Sequence, residues 1–172
     1  LRRAGSGDTV SSMAPLVYVE TSIPSFNYEA RAEPDMVARR LWTRHWWDVS
    51  RAGFEAVTSL AVLEELGRGR YPSRRHALAL VSDLPVLPFD PAVADIVEVY
   101  IREHVMPGDP VGDALHLALA SFHKCDFLLT WNCQHLANAN KFGHIRRVNA
   151  KLGLHVPALV TPLELGGTND AS

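Results

Sequence analysis

The chain is short of several features that would assign its class at once. Only two cysteines, Cys125 and Cys133, occur in 172 residues. That is too few for the disulfide framework of a small secreted domain and fits free thiols in a reducing compartment. No apolar run approaches the roughly eighteen residues that suggest a membrane-spanning helix, and no charged stretch, apolar stretch and cleavage site succeed one another near the start. A soluble, cytoplasmic protein with no membrane partner is expected. There is no excess of charge of one sign either: the formal net charge is -2, which argues against a broad basic surface for gripping nucleic acid. Basic residues cluster only locally, as Arg39, Arg40 and Arg44, as Arg68, Arg70, Arg74 and Arg75, and as Arg146, Arg147 and Lys151. With acids dispersed between them, these clusters read as solvated helix faces. Internal repeats, low-complexity tracts and a second domain boundary are missing as well.

The chain does have enough apolar material for one core. At 47% hydrophobic and 21% charged residues, a single domain can fold without disulfides or a structural metal. Residues 1–14 (LRRAGSGDTVSSMA) are rich in Gly, Ser and Arg and read as a disordered tail or cloning remnant. The domain is expected over 15–166, with a disordered C-terminus at 167–172.

From Leu16 the run LVYVE stops at TSIPS, the pattern of a buried strand ending in a turn. Residues 35–51 predict a helix whose Val37, Leu41, Trp42, Trp46 and Val49 recur at three- to five-residue intervals as core anchors. A strand at 54–59, helices at 60–67 and 73–83, a strand at 85–89 and a helix at 91–105 follow. After the loop MPGDPV come a largely apolar helix at 112–124, a strand at 126–130, a helix near 139–152 and a last strand at 158–161. Strands alternating with helices imply an α/β fold, a central parallel sheet flanked by helices on both faces.

Ligands of open α/β sheets bind beyond the carboxyl ends of the strands, and here those ends are polar. The first strand ends at Glu20, Thr21 and Ser22, the second at Thr58 and Ser59 with Glu64 and Glu65 a turn later, and the fourth at Thr130 and Asn132. Asp113 opens the helix DALHLALASF, where Asp113, His116, Ala120 and His123 share one narrow stripe and leucines fill the rest. An acid in a first turn is also a common helix cap, and a His on such a helix reads as a structural donor, so His116 stays outside the expected site. Glu20 alone would read as a solvated strand end. Their coincidence at one sheet edge matters more, because two carboxylates about 4 Å apart repel by about 4 kcal/mol at an effective dielectric near 20. Three converging carboxylates therefore call for a cation, and all-oxygen ligands favour Mg²⁺ or Mn²⁺ over zinc.

Four segments, VYVETSIPS at 17–25, VTSLAVLEELGRG at 57–69, GDALHLALA at 112–120 and DFLLTWNCQHLAN at 126–138, carry a resemblance in their order and spacing. Over residues 16–165 the chain resembles the PIN-domain nucleases, the fold of VapC-type toxins of bacterial toxin-antitoxin pairs. The resemblance implies a three-layer PIN-like fold, metal-dependent cleavage of RNA phosphodiesters and a small antitoxin partner, and it admits a homodimer. It places the first acid on Glu20, where Asp is usual in the family, the second on Glu65 and the third on Asp113. Helical phase alone leaves Glu64 and Glu65 equivalent, since both lie away from Leu60, Val62, Leu63 and Leu66. The family's fourth acid falls on Asn132, which ligates or orients water without charge and puts two-metal operation in doubt. The expected catalytic set is Glu20, Glu65, Asp113, Asn132 and Ser22, the first three holding the metal, with Ser59 and Thr130 as weaker additions.

Three other readings compete. His123, Cys125, Cys133 and His135 could hold a structural zinc, although their spacing is unlike the usual paired ligands. An α/β phosphatase or receiver domain would also carry acids at strand ends, but needs an aspartate to phosphorylate where the first strand offers Glu20, Thr21 and Ser22. A catalytically inactive PIN fold that binds RNA or protein is the third, supported by Asn132.

Overall fold

The computed structural model of the chain describes residues 13–106, 112–134 and 136–167. The order is β1 (Leu16–Val19), α1 (Ser22–Asn27), α2 (Pro34–Asp48), β2 (Glu55–Ser59), α3 (Leu60–Arg68), α4 (Arg74–Val81), β3 (Val86–Leu87), α5 (Pro91–Arg102), α6 (Asp113–Phe122), β4 (Phe127–Leu129), α7 (Ala139–Leu152), β5 (Ala158–Val160) and α8 (Pro162–Gly166). A 3₁₀ turn, Ser50–Gly53, joins α2 to β2. The five strands form one sheet, ordered β3-β2-β1-β4-β5, and every pairing is parallel. Parts of the expected tails, residues 1–12 and 168–172, most of the MPGDPV loop and His135 lie outside the described residues. No helix of the described residues is long and apolar enough to cross a membrane.

The central strand explains the layering. Successive residues of a strand face opposite sides of its sheet, yet Val17, Tyr18 and Val19 are all fully buried. Both faces are therefore covered, as an all-parallel sheet requires. On one side α5, α6 and α7 are tied by a buried polar knot, in which the Tyr100 hydroxyl donates to Asn149 Oδ1 (2.6 Å) and lies 3.2 Å from Ser121 Oγ. Elsewhere Trp46 of α2 packs on Phe54, and Phe54 meets Phe127 of β4 edge-on at 6.0 Å.

Helix boundaries follow local chemistry. Three helices, α2, α5 and α8, have proline as their first residue, where its missing N–H is not needed. Asp90 caps α5 by accepting from Ala92 N at 2.8 Å, and Thr161 with Glu164 forms a capping box on α8. The short α8 leaves no periodic trace in the sequence. The segment TSIPS is not a turn but leads into α1, whose Pro24 sits in the first turn and so breaks no intrahelical bond. The strand expected at 85–89 shrinks to two residues because Pro85 and Pro88 flank it and cannot donate to the ladder.

The predicted core face of α2 is corrected. Trp46 is fully buried, but Leu41, Trp42 and Val49 are 57%, 38% and 59% exposed. The face turned inward is Thr43, Trp46 and Trp47. Thr43 can serve there because its hydroxyl donates to Arg39 O (2.7 Å) and accepts from Trp131 Nε1 (2.7 Å). A polar residue satisfied in the interior hides the true stripe from a count of apolar side chains. Leu60, assigned to the apolar stripe of α3, is likewise exposed at the helix start.

Candidate functional site

The chain leaves β1 towards β2 and leaves β4 towards β5, on opposite sides, so a crevice opens between the carboxyl ends of these neighbouring strands. Glu20 stands at its floor. Its backbone N–H donates to Leu129 O at 3.3 Å, continuing the ladder, and the residue is buried. The carboxylate oxygen Oε2 accepts from Ser22 N (3.1 Å), Ser22 Oγ (2.6 Å) and Thr130 Oγ1 (2.9 Å). Ser22 Oγ accepts in turn from Trp131 N at 2.8 Å. Burial pushes the Glu20 carboxyl above its ordinary value, against the opposing pull of His116 and of the Ser22 and Thr130 hydroxyls.

Glu65 enters from α3. Its Oε2 accepts from the Thr21 hydroxyl at 2.6 Å, and its Oε1 meets His116 Nε2 at 3.1 Å. Glu64, which helical phase could not separate from it, is exposed and pairs with Arg68 at 3.3 Å. Glu65 is thus the acid that faces the crevice. His116 is almost wholly buried, and its Nδ1 lies 2.7 Å from the Tyr18 hydroxyl, itself 2.7 Å from Ser59 Oγ.

Asp113 is the first residue of α6. Asn132, beyond β4, donates through Nδ2 to Asp113 Oδ2 at 2.8 Å, and its backbone N–H donates to Thr130 Oγ1 at 2.9 Å. Thr130 therefore links Glu20 on one side to the Asn132 backbone, and through it to Asp113. All five residues expected from the sequence, Glu20, Ser22, Glu65, Asp113 and Asn132, belong to this set of linked hydrogen bonds or to its neighbour through Thr21.

Electrostatics add a member that the sequence did not nominate. Burial alone would push the His116 imidazole down, but the Glu65 hydrogen bond and the charges of Glu20, Glu65 and Asp113 outweigh it and raise the group above its ordinary value. Burial likewise pushes Glu65 up, yet the hydrogen bond and charge of His116 and the Thr21 hydroxyl prevail and leave that carboxyl lowered. The signal was present: His116 lies one turn from Asp113 on the same stripe. Thr21 was visible only as one hydroxyl among several.

Among the described residues, no group of three or more His, Cys, Asp or Glu side chains is arranged to hold a metal ion. This applies to Glu20, Glu65 and Asp113 together as much as to a closed zinc cage, so an ion at the crevice would draw on one or two carboxylates and water. Two of the zinc-site candidates are otherwise engaged: His123 Nε2 bonds Pro88 O at 2.8 Å, and Cys125 is buried with its thiol pushed up to about 12. Cys133 is exposed. The donors of the crevice are carboxylate, hydroxyl and amide oxygens, which fit Mg²⁺ or Mn²⁺, and Mg²⁺ commonly keeps several waters and takes only one or two carboxylates.

Neither any protein-family model nor any curated protein matches the chain.

Proposed function

We propose that the chain is a metal-dependent ribonuclease with a PIN-like three-layer fold, acting as the VapC-type toxin of a toxin-antitoxin pair. The observation that supports this best is that Glu20, Glu65 and Asp113, from three separated segments, stand at the carboxyl edge of a parallel sheet and are each gripped by side-chain donors. Polar partners that orient such ligands are characteristic of metal sites. Bound Mg²⁺ or Mn²⁺ supplies charge neutralisation at the scissile phosphate and a more acidic water. Glu20, Glu65 and Asp113 are the residues that would hold the ion, directly or through water. Asn132 directs its amide at Asp113 and keeps that carboxylate turned to the crevice, while Ser22 fixes Glu20. RNA is the substrate, a small antitoxin the partner, and a homodimer an arrangement that the resemblance admits.

A second reading, an inactive fold that binds RNA or a partner protein, is favoured by one observation: Asn132 stands where the family has an acid, and its amide already satisfies Asp113 without an ion. One experiment separates the two. Labelled RNA is incubated with the purified chain and Mg²⁺ or Mn²⁺, then with excess chelator, alongside Asp113→Asn. Cleavage that stops with chelator and in the variant, while the variant unfolds as the wild type does, supports the nuclease. Undiminished cleavage by Asp113→Asn makes that residue a helix cap and the proposed site wrong, and no cleavage by the wild type favours the binding fold.

A further inference from the structure

We infer that His116, anchored by Tyr18, is a positioning residue that fixes the Glu65 carboxylate for metal and substrate. This rests on the metal-dependent reading of the crevice. The hydrogen-bond roles follow from what each group can do. An ionised carboxylate only accepts, so His116 Nε2 carries the hydrogen shared with Glu65 Oε1 at 3.1 Å. In the neutral ring Nδ1 then accepts from the Tyr18 hydroxyl at 2.7 Å. The Tyr18 oxygen accepts in turn from Ser59, 2.7 Å away, and Ser59 Oγ also accepts from Val62 N at 3.4 Å. The chain Ser59 to Tyr18 to His116 to Glu65 runs in one direction and specifies the tautomer of the ring.

Burial increases along this chain towards the interior. Tyr18 and His116 are 0% and 1% exposed, on the central strand and on α6, whereas the Glu65 side chain is 27% exposed at the crevice. A long, flexible carboxylate at the rim is thereby referred to the two most deeply held elements of the fold. Thr21 grips its other oxygen at 2.6 Å. With one donor on each oxygen the plane of the carboxylate is set, and each oxygen keeps a lone pair for a ligand. Orienting groups of this kind typically change metal affinity or activity by 10- to 100-fold when removed. A histidine that merely filled the core would need no acid at the crevice as its partner.

The test compares His116→Leu, His116→Gln and Tyr18→Phe in the full chain. Mn²⁺ binding is measured by calorimetry, RNA cleavage as kcat and KM, and folding by thermal unfolding. A glutamine amide can reach the Nε2 position and restore the bond to Glu65, but it cannot also bond Tyr18. The expected result is Mn²⁺ affinity roughly 10-fold or more weaker in His116→Leu, largely recovered in His116→Gln, and reduced to a smaller degree in Tyr18→Phe. The cleavage loss should lie in kcat rather than KM. Mn²⁺ affinity and kcat unchanged in a folded His116→Leu overturn the positioning role and leave the nuclease reading standing. A wild-type chain that binds no Mn²⁺ overturns both. If His116→Leu does not fold, Tyr18→Phe decides: weaker Mn²⁺ binding supports the inference, and unchanged binding overturns it.

Discussion

At the scale of single residues, the two cysteines should behave as opposites. Cys133 is exposed, whereas burial, reinforced by the Asp126 charge, pushes the Cys125 thiol up to about 12. Since the thiolate is the reactive form, a chromogenic disulfide reagent at neutral pH should titrate one thiol per native chain promptly and the second only in denaturant. Two prompt equivalents would mean that Cys125 is not in the core. Asn132 offers a sharper test. Its amide donates to Asp113 Oδ2 at 2.8 Å, so Asn132→Asp exchanges an attractive contact for two facing carboxylates, a repulsion on the order of 4 kcal/mol. Without metal the variant should melt below the wild type, and its half-saturating Mn²⁺ concentration in calorimetry should fall. An unaltered metal affinity would remove Asn132 from the site. Glu20, Asp113 and Asn132 were legible because each follows a strand or opens a helix, whereas Glu65, inside α3, was placed only by the resemblance. The sequence did not reveal His116, because a buried imidazole on an apolar helix looks the same whether it serves the core or a neighbouring carboxylate.

At the scale of elements, three helices end in the same way with different residues. After α7, Gly153 takes φ 66°, after α6 Lys124 takes φ 55°, and after α5 His104 takes φ 54°. Around Lys124 the bonds from Cys125 N to Ala120 O (2.9 Å) and from Lys124 N to Ser121 O (3.3 Å) make a Schellman closure. The left-handed conformation costs an L-residue about 1–2 kcal/mol, and glycine escapes that cost at some expense in chain entropy. Lys124→Gly should therefore raise stability by about 0.5–1 kcal/mol in urea unfolding, and Gly153→Ala should lower it by about 1 kcal/mol. Equal and opposite outcomes would refute the argument. The same contrast of local chemistry explains which elements were legible. Leu16–Val19 and Asp113–Phe122 announce themselves as apolar runs of strand and helix length. Ser22–Asn27 and Pro162–Gly166 span little more than a turn and contain proline, so neither repeats often enough to show a period. In α2 the apolar count misled because Thr43 occupies the inner face and Leu41, Trp42 and Val49 the outer one.

For the molecule as a whole, binding of a cation to the folded chain alone should appear as stability. An ion at 100 times its dissociation constant adds about 2.7 kcal/mol, which for a chain of this size is a rise in Tm on the order of 5 to 10 °C. Saturating Mn²⁺ should produce such a shift in the wild type and not in the Glu20→Gln, Asp113→Asn double variant. A shift that survives in the double variant would locate the ion elsewhere. The alternation of strands and helices foretold a parallel sheet, but not the order β3-β2-β1-β4-β5, which depends on side-to-side pairing that no local pattern encodes. That order also governs when the crevice can be completed during synthesis. Glu20 and Glu65 belong to the half-sheet of β1, β2 and β3, which emerges first. Thr130 and Asn132 come with β4, whose pairing with β1 joins residues 110 positions apart. At about 5–20 residues per second, roughly 3 to 13 s separate Glu65 from Asn132 on the growing chain. Throughout that interval the crevice lacks one wall. If the chain is the nuclease proposed above, a nascent chain released early, or truncated before β4, would leave the RNA around it intact, and only the completed second half would make the protein dangerous to its maker.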